Sequence, residues 1–428
     1  MASENNDPTD DEDVQVTTGR SSEIPEPAVG GSDMALKNLL SRDRLELRHY
    51  MGLLGLLVLA AIPTILTPLQ LAPFIGVIFL MMFAISWDIV SGYTGQLSFG
   101  HAYFFALGGY ATTILNLQHG ISPLVAIPLA TLIAGLGGFI IGFPALRLRG
   151  PYLSLVTLVV PVIMLQIFEI RANGFILDFG PLTVPIAPDG LGGTIGLSSP
   201  DALISTADAS VFTVSSYATE VLLNYYLALM LLVLFTLLML AITKSNTGDI
   251  FTAIRENEGV VPAVGIKPAK FKLFAFVVSG MVGGFAAAVF VHTLAGAAQP
   301  ASILNVGLSI DVIIYSVLGG MGTIIGPILG VVFFEGSIQL LESFETTVFG
   351  VALDDLAPLL LYIVSIGVVI KRPQGLLPAL VQFGRRIRAR IKDEPAPAGT
   401  PKEETPVYRT IQKFLDELRE IADRVKGP

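Results

Sequence analysis

The chain contains no cysteine, which excludes disulfides, thiolate nucleophiles and cysteine-ligated zinc or iron–sulfur centres. Charge is scarce as well: 14% of the 428 residues are Asp, Glu, Lys or Arg, against 52% hydrophobic. With a mean hydropathy of +0.70, that balance excludes an ordinary soluble domain and points to a polytopic helical membrane protein. Catalytic signatures are missing too. There is no H-E-x-x-H, G-x-S-x-G or G-x-G-D, so an intramembrane hydrolase has no nucleophile–base pattern to stand on. G-x-x-x-x-G-K-[ST] is also absent; Gly259–Lys267 has one residue too many before its second glycine and an extra residue before its lysine. The chain therefore shows no P-loop of its own. Lys and Arg are absent from 172–220, and so is any N-x-S/T sequon there.

Ten apolar runs are present, at roughly 50–67, 71–91, 101–118, 121–146, 151–171, 221–243, 272–296, 303–319, 323–342 and 350–370. Each is about long enough for a ~30 Å hydrocarbon core. The expected fold is all-α, a polytopic membrane domain of about ten transmembrane helices over 35–378. Basic residues fall on one face if all ten cross: Lys37, Arg42, Arg44 and Arg48, then Arg147 and Arg149, then Lys244–Lys272, then Lys371, Arg372 and Arg385–Arg390. By the positive-inside rule that face is cytoplasmic, as are both termini. Residues 1–34 read as a disordered acidic tail rather than a signal peptide. Its acidic cluster and the formal charge of −9 hint at a halophilic prokaryote. Residues 172–220 form the expected external loop, either a linker or a rim of the outer mouth. Residues 379–428 form a cytoplasmic tail in which Ile411, Phe414, Leu418, Ile421 and Val425 stripe one face of a helix.

The polar segment 244–271 carries charges of both signs, and its helical pattern is interrupted by Gly259, Pro262 and Gly265. Gly259 or Gly265 suits the left-handed position that closes a helix. A purely conducting protein has little need for such an insertion; one driven by a soluble motor needs a lever. Two glycine-dense breaks interrupt the apolar pattern, at 91–110 and at 318–330. Glycine at this density turns the backbone sharply or lets helices touch, and the two breaks resemble copies of one helix–break–helix unit. The first contributes Gly92, Gly95, Gln96, Ser98, Gly100 and His101; the second contributes Gly319, Gly320, Gly322 and Gly326. At Gly95 or Gly100 an alanine is expected to be much milder than a leucine. Asp311 and Glu335 lie inside apolar runs, where a hydrogen-bonded structural role is favoured over substrate contact.

Gly92-Tyr93-Thr94-Gly95-Gln96-Leu97-Ser98-Phe99-Gly100-His101 resembles the signature of the LivM-type permease subunits of branched-chain amino acid ABC importers. So do Gly142–Tyr152 with Leu155–Leu158, Ala253–Glu258 through Ile266 with Lys272–Phe276, Gly319–Thr323 with Gly326-Pro327, and Arg372–Leu376. The blocks recur in order from about 80 to 378. The resemblance implies a non-enzymatic importer subunit in the cell membrane with no cofactor of its own. The implied partners are two cytoplasmic ABC ATPases that hydrolyse ATP, a second, LivH-type permease, an external substrate-binding protein and the lipid bilayer, with no nucleic acid among them. It implies that Arg255, Glu256, Asn257, Glu258 and Gly265 receive the ATPase stroke. The glycines of both breaks, with Gln96 and Ser98, would line or hinge the pathway. Branched-chain or related apolar amino acids are the implied cargo; related importers of urea or amides, and ATP-independent secondary transport using Asp311 and Glu335, remain alternatives.

Overall fold

Every one of the ten apolar runs is a helix. The computed structural model describes residues 47–145, 151–178, 183–208, 210–342, 347–348 and 351–391. The acidic tail, the basic loop at Arg147 and Arg149, and the striped helix around Phe414 lie outside them. In chain order the helices are α1 (Leu47–Ala61), α2 (Pro68–Asp88), α3 (Ala102–Leu117), α4 (Pro123–Ala145) and α5 (Pro151–Ile170). There follow α6 (Tyr217–Thr243), α7 (Asn246–Asn257), α8 (Pro268–Phe290), the single turn α9 (Pro300–Ile303), α10 (Val306–Gly319), α11 (Ile325–Glu342), α12 (Leu353–Lys371) and α13 (Leu376–Ile391).

Among the described residues, six helical segments have the length and apolar composition to cross a membrane: Pro68–Tyr93, Pro123–Pro144, Tyr152–Ile170, Tyr217–Thr243, Pro268–Phe290 and Pro300–Gly319. Helices α12 and α13 add a seventh if taken as one span bent by 60°. The remaining runs fold as shorter pieces; the 16 residues of α3 rise only about 24 Å. Helix α6 is the opposite case. Its 27 residues reach about 40 Å, more than the apolar core needs.

Start and stop signals act where the chemistry predicts. Ser216 Oγ accepts from the Thr219 N–H at the start of α6, Ser245 Oγ from Thr247 at α7, and Asn305 Oδ1 from Gly307 at α10. These satisfy donors that have no partner inside the helix. The core centres on α8, which packs on α2, α3 and α4. Its inner face is small, with Ala275, Gly280, Gly284, Ala286, Ala287 and Ala288 buried. A Cβ on Gly108 would stand 2.1 Å from the Gly284 carbonyl oxygen, and one on Gly138 2.6 Å from that of Phe276. Backbones touch there, as small residues allow in lipid.

The segment 172–220 is more than a linker. Strands β1 (Phe175–Asp178) and β2 (Thr183–Ala187) pair antiparallel, while β3 (Ile204–Ser205) and β4 (Phe212–Thr213) pair parallel. The segment is pinned at several points. Asn116 Nδ2 donates to Asp201 Oδ2 at 2.9 Å, and its Oδ1 accepts from the Asp201 N–H at 2.8 Å. His292 binds the Asp201 carbonyl through Nδ1 and Thr112 through Nε2. Leu203 N–H donates to the His292 carbonyl, and Leu197 N–H to that of Ala298. The result is a cap over one end of α3 and α8.

A glycine junction at the coupling segment

The opposite end of the bundle gathers both glycine breaks, the polar lever and the closing Arg372–Leu376 motif. Helix α2 loosens into a π-turn, Ile89–Tyr93, and the chain then doubles back through Gly95, whose φ is +72°. Polar groups hold this turn from within. Thr94 Oγ1 donates to the Val90 carbonyl, Ser91 Oγ to that of Gln96, and the Trp87 indole to that of Ser98. Ser98 is buried, Gln96 half-buried. Helix α5 grips the far side: Ser154 Oγ donates to the Leu97 carbonyl, and Thr157 Oγ1 accepts from the Phe99 N–H. His101 is buried against Ser86 and Ser279, its Nε2 2.8 and 3.3 Å from their hydroxyls.

The two breaks meet. A Cβ on Gly92 would lie 2.6 Å from the Gly322 nitrogen and 2.0 Å from Asp88 Oδ1. Asp88 is fully buried; its Oδ1 accepts from the Gly322 N–H at 2.7 Å, while its Oδ2 has no close hydrogen-bond partner among the described residues. Gly319 and Gly326 are also in backbone contact, with 1.7 Å between a Cβ on the first and the carbonyl oxygen of the second. Gly375, at φ +85°, presses on Gly320, where a Cβ would stand 2.5 Å from the nitrogen and Cα.

The lever joins this contact through Arg255. Helix α7 begins beside α6, where Gly248 has room for no Cβ against the Thr243 carbonyl, and its last turn carries Arg255. Arg255 Nη1 donates to the Gly92 carbonyl at 3.0 Å. The same atom would be 2.6 Å from a Cβ on Gly322, and the Arg255 stem covers Gly95. Pro262 does split the lever: α7 ends at Asn257, a 3-10 turn runs Val261–Val264, and Gly265 closes it at φ +79°. Glu258 turns inward to Lys272 on α8, Nζ to Oε2 2.7 Å, with the lysine only 1% exposed. Glu256 and Asn257 are exposed.

Arg255 stays exposed while bonding the Gly92 carbonyl and Glu256, and Glu258 is half-buried beside Lys272. One position differs from the sequence expectation. Gly100 has no room even for a methyl, since a Cβ would stand 1.7 Å from the Thr157 carbonyl oxygen. Asp88 was not singled out in the sequence at all, although a carboxylate four residues before Gly92 in an apolar run is a legible signal. Asp311 and Glu335 lie apart from the junction, on α10 and α11. The Tyr362 hydroxyl donates to Asp311 at 2.6 Å and the Tyr315 hydroxyl to Glu335.

A multi-helix membrane permease, with a pinned cap at one end and a polar segment bonded to a glycine joint at the other, is the class these features define. The chain belongs to the permease components of branched-chain amino acid transport systems, whose family model matches residues 72–369. Over 302 residues it is 31% identical to the high-affinity branched-chain amino acid transport permease LivM of Salmonella typhimurium, covering 68% of this chain and 66% of that one. It is 30% identical to its Escherichia coli counterpart, with the same coverage. A probable branched-chain amino acid permease LivM of Methanocaldococcus jannaschii is 24% identical over 64% of this chain and 78% of its own. The chain thus spans 66% of the length of the two enteric relatives. No solved structure matches it.

Proposed function

We propose that the chain is one permease subunit of an ABC importer that carries branched-chain or related apolar amino acids inward. Two cytoplasmic ATPases would push on 244–271, a second, LivH-type permease would complete the membrane part, and an external binding protein would deliver cargo to the cap. The observation that carries this reading is the bond from Arg255 on the lever to the Gly92 carbonyl, in the joint where both breaks meet. Displacement of α7 pulls directly on the end of α2 and the Gly322 turn. Through Glu258 and Lys272 it also pulls on α8, the helix at the centre of the core. One input therefore reaches two rigid elements, which is what alternating access needs from a motor outside the membrane. Glu256 and Asn257, exposed at the tip, are left to face the ATPase.

The test is leucine uptake into proteoliposomes holding the complete importer. Arg255→Ala removes the bond to Gly92 and the 3.3 Å pair with Glu256, while the Glu256 and Asn257 side chains themselves remain for docking. ATPase subunits should still co-purify, and ATP-driven uptake should fall at least tenfold. Uptake at the unmodified rate would show that force enters elsewhere; no ATP-dependent uptake by the unmodified complex would overturn the assignment itself.

A further inference from the structure

The Arg372–Leu376 motif leads out of the glycine joint into α13, a helix that the importer reading leaves without a task. Helix α12 reaches across the membrane unaided: its 19 residues rise about 28 Å, close to a ~30 Å hydrocarbon core. It ends at Lys371, exposed like Arg372 after it. The chain then bends by 60° into α13, which tips the new helix away from the direction of the span and toward the membrane plane. The root of α13 is fixed. The Gln374 carbonyl and the Pro378 ring each lie 3.3 Å from where a Cβ on Gly320 would stand, and the helix packs on α1, α10 and α11. Even so, Leu380 and Phe383 are left 41% and 62% exposed.

In the sequence, Leu376, Leu380, Phe383, Ile387 and Ile391 recur at 4-3-4-4 spacing, a single apolar line along a helix. The same helix carries Arg385, Arg386, Arg388 and Arg390 and no Asp or Glu. A basic helix with one apolar line, starting where a span ends, has the composition of helices that lie in the lipid headgroup layer. Ile366 and Ile370, in the last turns of α12, are exposed as well, so apolar surface runs up to the bend from both sides. We propose that α13 is an anchor for anionic lipid: Leu380 and Phe383 enter the acyl boundary, and the arginines of the helix bind headgroup phosphates at the surface. A protein groove would cover Phe383 equally well, but four like charges call for an anionic surface, and the 60° bend brings the helix to one. The anchor goes beyond the importer reading and does not depend on it. Its effect is to moor the Gly320 turn of the joint to the membrane surface.

Because the chain has no cysteine, a fluorescent NBD label can be placed at Phe383→Cys or, about 200° round the helix, at Arg385→Cys. Each labelled chain is assembled with its partner subunits in nanodiscs of phosphatidylcholine, a constant share of it bearing a nitroxide on the acyl chain. Phosphatidylglycerol is the variable. Quenching should be stronger at 383 than at 385, should rise as phosphatidylglycerol is added, and should weaken with salt. Each basic residue near an anionic surface is worth about fivefold. Arg386→Gln with Arg388→Gln should therefore lower the ratio of docked to free helix about 25-fold, read as a need for more phosphatidylglycerol to reach the same quenching at 383. Equal quenching at the two positions, quenching indifferent to phosphatidylglycerol, or unchanged docking in the double variant would each overturn the proposal. Shielding of position 383 from the nitroxide by the ATPase subunits would overturn it too, and would assign the apolar line to a protein partner.

Discussion

Gly92 and Gly322 approach each other so closely that neither tolerates a side chain, and Asp88 is the group that fills the remaining space. Gly92→Ala is expected to cost ~1–3 kcal/mol by overpacking, seen as a lower melting temperature of the purified complex. Gly100→Ala should be as damaging, because the obstacle is the fixed carbonyl of Thr157 rather than a mobile side chain. Gly259→Ala serves as the control: its φ is not left-handed and only the Asn257 side chain is near, so stability should hold or rise by ~0.4–1 kcal/mol. Equal loss at 92, 100 and 259 would mean that glycine content, not contact, matters. At Asp88, Asn keeps the acceptor for the Gly322 N–H, whereas Ala leaves that donor buried and unpaired at ~1–3 kcal/mol. Asn should therefore melt near the unmodified protein and Ala well below it. Glycine density was visible in the sequence; which glycines touch was not, because a contact between Gly92 and Gly322 leaves no periodicity to read.

At the scale of elements, the lever and the cap are each held by few bonds. Glu258→Ala leaves the Lys272 ammonium unpaired in a buried position, whereas Lys272→Met removes charge and desolvation cost together. The double variant should therefore be more stable than Glu258→Ala alone, in a thermal melt of all four proteins; additive losses would rule out a coupled pair. In the cap, burial holds the His292 imidazole below its ordinary 6.5, against a smaller opposing effect of the Asp201 carbonyl. A depressed folded value means that the cap's stability is full above pH 6.5 and drains away as pH falls through and below it. Hydrogen-exchange protection factors at the Leu203 and Phe212 amides, corrected for the intrinsic exchange rate at each pH, should fall on acidification from pH 7 to 5, and His292→Gln should flatten that response. The helices were legible from apolar length alone, as was the split of the lever at Pro262. The cap was not, since its strands are short and its anchors, Asn116 and His292, lie in other elements.

For the whole molecule, the orientation inferred from Lys and Arg has a direct check. The cysteine-free chain accepts single cysteines at Ser199 on the cap and at Asn246 on the lever, both exposed. An impermeant maleimide added outside sealed cells should label the first and spare the second; the reverse pattern would invert the topology. The joint between the breaks has a genetic consequence as well. Arg255 is anchored to a peptide carbonyl, which every amino acid at position 92 supplies alike. No substitution there can delete or strengthen the acceptor; it can only displace it. Second-site revertants of an Arg255 loss should therefore map to new donors on α7 or to the Met321–Thr323 turn, and never to residue 92 itself. On one side of this contact, the code has no spelling for repair.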